Sequence, residues 1–237
     1  MALPMNSTPT YKVEVPSTGE KINFRPFLVK EEKSLLIAQQ SEDQEIMVET
    51  LKDVINSCTL GKINVEELAL FDLEYLFTQI RGKSVGEEFE LIFSCDTCVD
   101  EKAKVKINLD INNIKIIKSE THSKKIPLFG DVGVVMRYPN FNMIKRVGDL
   151  NSNDFSAVFN IVAECIDYIY DTDQVYYAKE TKKEELVTFL ENLTPDQFAK
   201  IQVFFETMPK LSTNVKYVCP VCSKIHDKNI EGLNNFF

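Results

Sequence analysis

Tyr11, Val13 and Val15 alternate with polar positions, Pro16-Ser17-Thr18-Gly19 supplies a turn, and Ile22 and Phe24 resume the alternation. This pattern predicts a β-hairpin. Arg25-Pro26-Phe27 leads into a helix in which Leu28, Leu35, Leu36 and Ala38 are apolar among charged residues. Ser41 as a cap, with Gln44 three positions on, predicts the start of the next helix, whose Met47, Leu51, Val54, Ile55 and Cys58 share one face. Asn64 with Glu67 predicts a third helix through about Arg81. Leu68, Phe71, Leu73, Leu76, Phe77 and Ile80 make it apolar around much of its circumference, so a central place is expected.

From Glu87 the period changes to two. Phe89, Leu91 and Phe93 form one strand, and Val105, Ile107, Leu109 and Ile111 form the next, alternating with Lys104, Lys106, Asn108 and Asp110. After the polar stretch Ser119 to Lys125, Val134 to Tyr138 reads as a strand ended by Pro139. Phe129-Gly130-Asp131-Val132-Gly133 lacks the lysine and hydroxyl of a phosphate loop and reads as a turn. Phe155, Val158, Phe159, Val162, Ile166 and Ile169 predict a helical stripe. Thr181 with Glu184, and Thr194-Pro195 with Gln197, open two more helices. Val215 and Tyr217 then form a strand, answered by another near Lys224 to Ile230. The fold class is α+β, with helical blocks around antiparallel hairpins. We expect one domain over 1–237, with 112–210 a helical insert, because the entropy of closing a loop grows slowly with its length.

Two motifs carry the chemistry. Cys95-Asp96-Thr97-Cys98 and Cys219-Pro220-Val221-Cys222 each lie where one strand stops and another starts. A two-residue spacer lets both thiolates turn onto one ion, so the pairs predict a structural Zn2+ site of zinc-ribbon type with ligands Cys95, Cys98, Cys219 and Cys222. The stretch between the pairs far exceeds that of a compact zinc finger, so a shared ion would join distant hairpins and leave no open position for catalysis. The competing reading is two separate thiol pairs. A redox Cys-x-x-Cys should open a helix after a parallel strand, whereas these flanks read as hairpins. His226 could replace a ligand, although four cysteines already fill the shell. His122 is expected to face solvent, and no carboxylate is visibly arranged around either histidine, so no acid–base pair is expected. Cys58 and Cys165 read as small core hydrophobes. Glu31-Glu32 and Glu42-Asp43 read as solvated helix starts, their charge favourable beside the helix dipole.

Composition narrows the classes. In 237 residues, 44% apolar content suffices for a real core, and six cysteines are too few for a disulfide scaffold. Neither a membrane-length apolar run nor a signal core is visible, so a soluble, unexported protein is expected. A net charge of −9 opposes nucleic-acid binding across a broad surface. The apolar segments Ala2-Leu3-Pro4-Met5 and Leu233-Asn234-Asn235-Phe236-Phe237 are either tucked onto the domain or offered to a partner.

Met1-Ala2-Leu3-Pro4, Pro9-Thr10-Tyr11, Pro16-Ser17-Thr18-Gly19 and the run Phe24-Arg25-Pro26-Phe27-Leu28-Val29-Lys30-Glu31-Glu32-Lys33 resemble the opening of the T4-like phage baseplate family. Overall length and the later Cys-x-x-Cys pairs are also similar. The resemblance implies a non-enzymatic protein that builds a contractile-tail baseplate, as a hub component or assembly chaperone, and brings no catalytic residue with it. Its partners would be other baseplate or tail hub proteins, in the host cytoplasm during assembly or in the virion tail. No membrane or small-molecule substrate is implied. The alternative is a zinc-ribbon nucleic-acid-binding module, for which Lys102, Lys104, Lys106, Lys216, Lys224 and Lys228 near the knuckles supply charge. A cysteine-based enzyme ranks last.

Overall fold

The structure is a computed structural model that describes residues 7–41, 43–98, 101–143 and 155–232. The expectations for Ala2–Met5, Glu42 and Leu233–Phe237 lie outside the described residues. The chain divides into two compact units. One comprises Met1–Val65, Phe71–Ile117 and Lys210–Phe237; the other comprises Glu66–Leu70 and Lys118–Pro209. Secondary structure is α+β, and every paired strand is antiparallel to its neighbour. Among the described residues no helix is long and apolar enough to cross a membrane.

The first unit opens with the hairpin of β1 (Tyr11–Glu14) and β2 (Lys21–Phe24), which buries Val13, Val15, Ile22 and Phe24. Gly19 closes its turn onto the Val15 carbonyl at φ +73°, a left-handed conformation that costs glycine little. Helix α1 (Val29–Ser41) follows. Glu31 in its first turn is buried rather than solvated, a correction to the sequence reading. Its carboxylate accepts from Arg25 at 2.8 Å, from the Leu28 N–H at 2.7 Å and from Ser57 at 3.0 Å. Burial works against its charge, but these donors and the Arg25 charge win and hold its pKa at about 2.

Helix α2 (Gln44–Cys58) is capped by Asp43, not Ser41. The Ser41 hydroxyl is turned back to the Ala38 carbonyl in the last turn of α1, while the Asp43 carboxylate accepts from the Glu45 and Ile46 N–H groups. The helix expected from Asn64 is split. A 3-10 turn occupies Val65–Glu67, and α3 (Leu70–Val85) starts later and runs further than expected. Phe71, Leu76, Phe77 and Ile80 are buried as its periodicity requires.

Next come β3 (Glu88–Ser94) and β4 (Lys104–Asp110), paired from Glu88–Asp110 to Ser94–Lys104, and β5 (Lys115–Ile117). The last strands of the chain, numbered in order, are β10 (Lys210–Val218) and β11 (Ile225–Glu231). They form a sheet of order β11-β10-β5. Leu109, Ile111, Ile114, Leu211, Val215, Tyr217 and Ile230 make one core, with Phe89, Leu91, Phe93, Val105 and Ile107 packed against it. Alternation puts every second residue of both hairpins on that face. The core therefore brings together the ends of hairpins that are remote in sequence.

The second unit is a sheet of order β6-β7-β8-β9: β6 (Lys125–Phe129), β7 (Val132–Met136), β8 (Ile166–Tyr170) and β9 (Val175–Tyr177). Among the described residues its longer helices are α4 (Phe155–Glu164), α5 (Lys183–Glu191) and α6 (Pro195–Thr207). Val134, Met136, Ile166, Leu190, Ile201 and Phe204 lead its core. The stripe expected to be helical through Ile169 stops at Glu164. Met136 pairs with Ile166 and Val135 with Tyr168, leaving Asp167 as an extra bulged residue. Ile166 and Ile169, three apart, are thus both buried on a strand with the spacing of a helix.

Thr181 does not cap α5, because its hydroxyl donates to the Tyr177 carbonyl. The capping box at Thr194 forms as expected: Gln197 N–H donates to the Thr194 hydroxyl, and the Gln197 side chain accepts from Thr194 N–H. Phe129 ends β6, Gly130-Asp131 make the turn, and Val132-Gly133 already belong to β7.

Candidate metal centre

Cys95 directly follows the last residue of β3, and Cys219 directly follows the last residue of β10. The second knuckle is closed by backbone. Cys219 N–H donates to the Lys224 carbonyl and Ser223 N–H to the Cys219 carbonyl, each at 2.9 Å. Ser223 takes φ +59° to make the reversal. The shared core below carries both hairpin tips to one place. The sulfurs of Cys95, Cys98, Cys219 and Cys222 all lie within 4.8 Å of one another, and all four are free thiols.

The spacing fits an ion. Four sulfurs each about 2.3 Å from a tetrahedral zinc are separated by roughly 3.8 Å, and Cys95 Sγ to Cys222 Sγ measures 3.8 Å. Cys95 and Cys219 are buried, Cys98 is half-buried and Cys222 is exposed, so the cluster sits just beneath the surface. Ala103, fully buried, packs against it.

Crowding of the sulfurs perturbs their ionisation. The Thr97 N–H donates to Cys95 Sγ at 3.4 Å. With the Cys98 N–H, His226 and Cys219 as further donors, it outweighs burial and draws the Cys95 thiol down to about 5. Cys98 is pushed up to about 12, first by its hydrogen bond with Cys222, then by burial and by the other sulfurs. One thiolate suppresses ionisation of its neighbour. A divalent cation is the species that would favour thiolate at every ligand.

Direct side-chain contacts join the hairpins. Tyr217 hydroxyl donates to the Ser94 carbonyl at 3.0 Å, and the Phe93 and Tyr217 rings stack at 5.3 Å. Lys224 Nζ donates to Thr97 Oγ1 at 3.0 Å, and Lys228 Nζ pairs with Asp96 at 2.7 Å.

His226 is not among the side chains whose ligating atoms converge. It is buried and stacks on Tyr217 beside the cluster. His122, expected in solvent, is half-buried in the second unit between Thr207 Oγ1 and Tyr138 hydroxyl, 3.0 Å from each. Burial, with the charges of Lys118 and Lys124, lowers its pKa. Cys58 and Cys165 are fully buried, and burial pushes their thiols up to about 11 and about 12. They are inert core residues.

The lysines around the knuckles are engaged. Lys106 pairs with Glu90 at 2.7 Å and Lys216 with Asp227 at 3.2 Å, in addition to the Lys224 and Lys228 contacts. Asp227 opposite Lys216, and Glu90 diagonal to Lys106, become visible only in the register of the hairpins.

Comparison with known proteins gives a consistent result. A family model described as T4 bacteriophage base plate protein matches residues 8–237. The "Baseplate hub assembly protein gp26" of Enterobacteria phage T4 is 26% identical over 228 residues, spanning 96% of this chain and 97% of that protein. No solved structure matches. With a family model covering the chain from residue 8 to its last residue, the protein belongs to the T4 bacteriophage base plate protein family.

Proposed function

We propose that this protein is a non-enzymatic structural or assembly component of a contractile phage tail baseplate, acting by protein–protein binding. It would work in the host cell cytoplasm during assembly, as a hub component or an assembly chaperone. The observation that carries the reading is the nearly end-to-end similarity to a baseplate hub assembly protein.

Within that role, Cys95, Cys98, Cys219 and Cys222 are read as the ligands of one structural Zn2+ in a zinc-ribbon-like centre. The convergence of the four sulfurs and their spacing support this. When bound, the ion would neutralise thiolate charge and stiffen the junction of two hairpins, with four protein ligands filling its shell. Residues 112–210 are read as an insert between those hairpins within one α+β domain. The separate unit formed around Lys118–Pro209 supports that reading.

The alternative, a nucleic-acid-binding ribbon, needs free cations on one face. The pairing of Lys106, Lys216 and Lys228 with carboxylates weighs against it. Coexpression with neighbouring tail genes, followed by affinity purification, tests the leading reading. A stoichiometric complex with a baseplate subunit is expected; a chain that stays alone against every such subunit contradicts it. Presence in purified tails distinguishes a hub component from a chaperone. Binding to duplex or single-stranded DNA at low salt would favour the alternative.

A further inference from the structure

His226 has an unfilled role beside the cysteine cluster. It lies opposite Tyr217 in the β10–β11 ladder, and the two rings stack with centroids 4.7 Å apart and planes 12° from parallel. The residue is only 4% exposed. Nδ1 stands 3.6 Å from Asp96 Oδ2, beyond hydrogen-bond length. Nε2 is shielded from water and makes no well-formed hydrogen bond. A polar ring atom sealed in this way carries a desolvation cost, which calls for a partner close by.

The geometry points to the Cys95 sulfur: Nδ1 faces Asp96, the residue directly after Cys95, and the ring stacks on Tyr217, whose hydroxyl binds Ser94, the residue directly before it. A metal-bound thiolate keeps lone pairs that accept N–H donors, and such outer contacts fix ligand orientation. Cys95 already accepts from Thr97 N–H at 3.4 Å on its own knuckle. His226 would add a donor from the opposite hairpin. A single proton on Nε2 is all that this requires.

We propose that His226 is a positioning residue of the metal centre, its Nε2–H donating to Cys95 Sγ and holding that ligand against release. The inference rests on the reading of the four cysteines as zinc ligands.

The test compares zinc transfer from the full-length protein to a chromogenic chelator. His226→Phe keeps the aromatic stack on Tyr217 but removes the donor, and transfer should quicken by about tenfold or more. His226→Gln, which retains a side-chain N–H, should restore part of the difference. Transfer from His226→Phe at the wild-type rate would overturn the proposal. A measurement on the unsubstituted protein is independent of how the variants fold. With cadmium-113 in the centre and nitrogen-15 in the imidazole, the Nε2 proton should show scalar coupling to the metal. A loaded protein whose Nε2 carries no proton would overturn the assignment. Wild-type protein that takes up no zinc strikes the underlying zinc reading as well. Zinc-loaded wild type with unaltered exchange in His226→Phe strikes the histidine inference alone.

Discussion

The Tyr217 hydroxyl donates to the Ser94 carbonyl, the backbone group directly before Cys95, across a sequence separation of 123 residues. Tyr217 also stacks on Phe93 and on His226, so one side chain anchors both knuckle-bearing hairpins without a metal. The tips are therefore brought together by packing, and an ion would find its ligands already gathered. Tyr217→Phe keeps the stacking and removes only the hydroxyl. It should cost about 0.5–1.5 kcal/mol in urea unfolding of the metal-free protein.

Cys95→Ser should abolish stoichiometric zinc binding and lower amide hydrogen-exchange protection in both hairpins, β10–β11 as well as β3–β4. Loss of protection confined to β3–β4 would contradict a shared centre. The Tyr217 and Lys228 contacts should keep the variant's hairpins partly docked, so loosening rather than complete unfolding is expected.

The buried Arg25–Glu31 pair gives the first unit an acid sensitivity. Glu31 has a pKa of about 2 when folded, below its ordinary value of 4.5. Its stabilisation is therefore complete above about pH 4.5 and is lost as pH falls from there towards 2. Glu31→Gln should flatten this part of the stability–pH curve. Glu31→Ala, which leaves Arg25 buried without its carboxylate, should cost about 3–5 kcal/mol at neutral pH.

In the second unit, Gly133 faces the Tyr170 phenol and the Ile126 carbonyl so closely that an added Cβ would overlap both. Gly133→Ala should destabilise this unit by about 1–3 kcal/mol, read as a lower thermal midpoint for the transition reported by its tyrosines. A midpoint equal to wild type would show that β7 and β8 shift apart at little cost.

Much of this was legible where one local signal stood unopposed. The alternation of Phe89, Leu91 and Phe93 against Val105, Ile107 and Leu109 fixes a hairpin, and the Thr194–Gln197 box fixes a helix start. Each Cys-x-x-Cys was legible as the end of such a strand, whereas the convergence of the four sulfurs comes from the core that packs the two hairpins together. What stayed hidden depended on tertiary context. Ser41 and Thr181 are sound capping residues, but nearby carbonyls claimed their hydroxyls. The bulge at Asp167 gave β8 a helical spacing. Strand β6 buries Ile126 and Leu128 in strict alternation, but in sequence Pro127 and the exposed apolar Phe129 mask that period, while β9 is short and exposes all three residues. Glu31 was hidden because its partners Arg25 and Ser57 meet it only once the helices pack.

X-ray absorption at the zinc edge, on protein purified without added chelator, tests the shared centre most directly. One zinc per chain surrounded by four sulfurs at about 2.3 Å is expected. A chain that carries no metal, or whose knuckle cysteines are paired in disulfides, would contradict it.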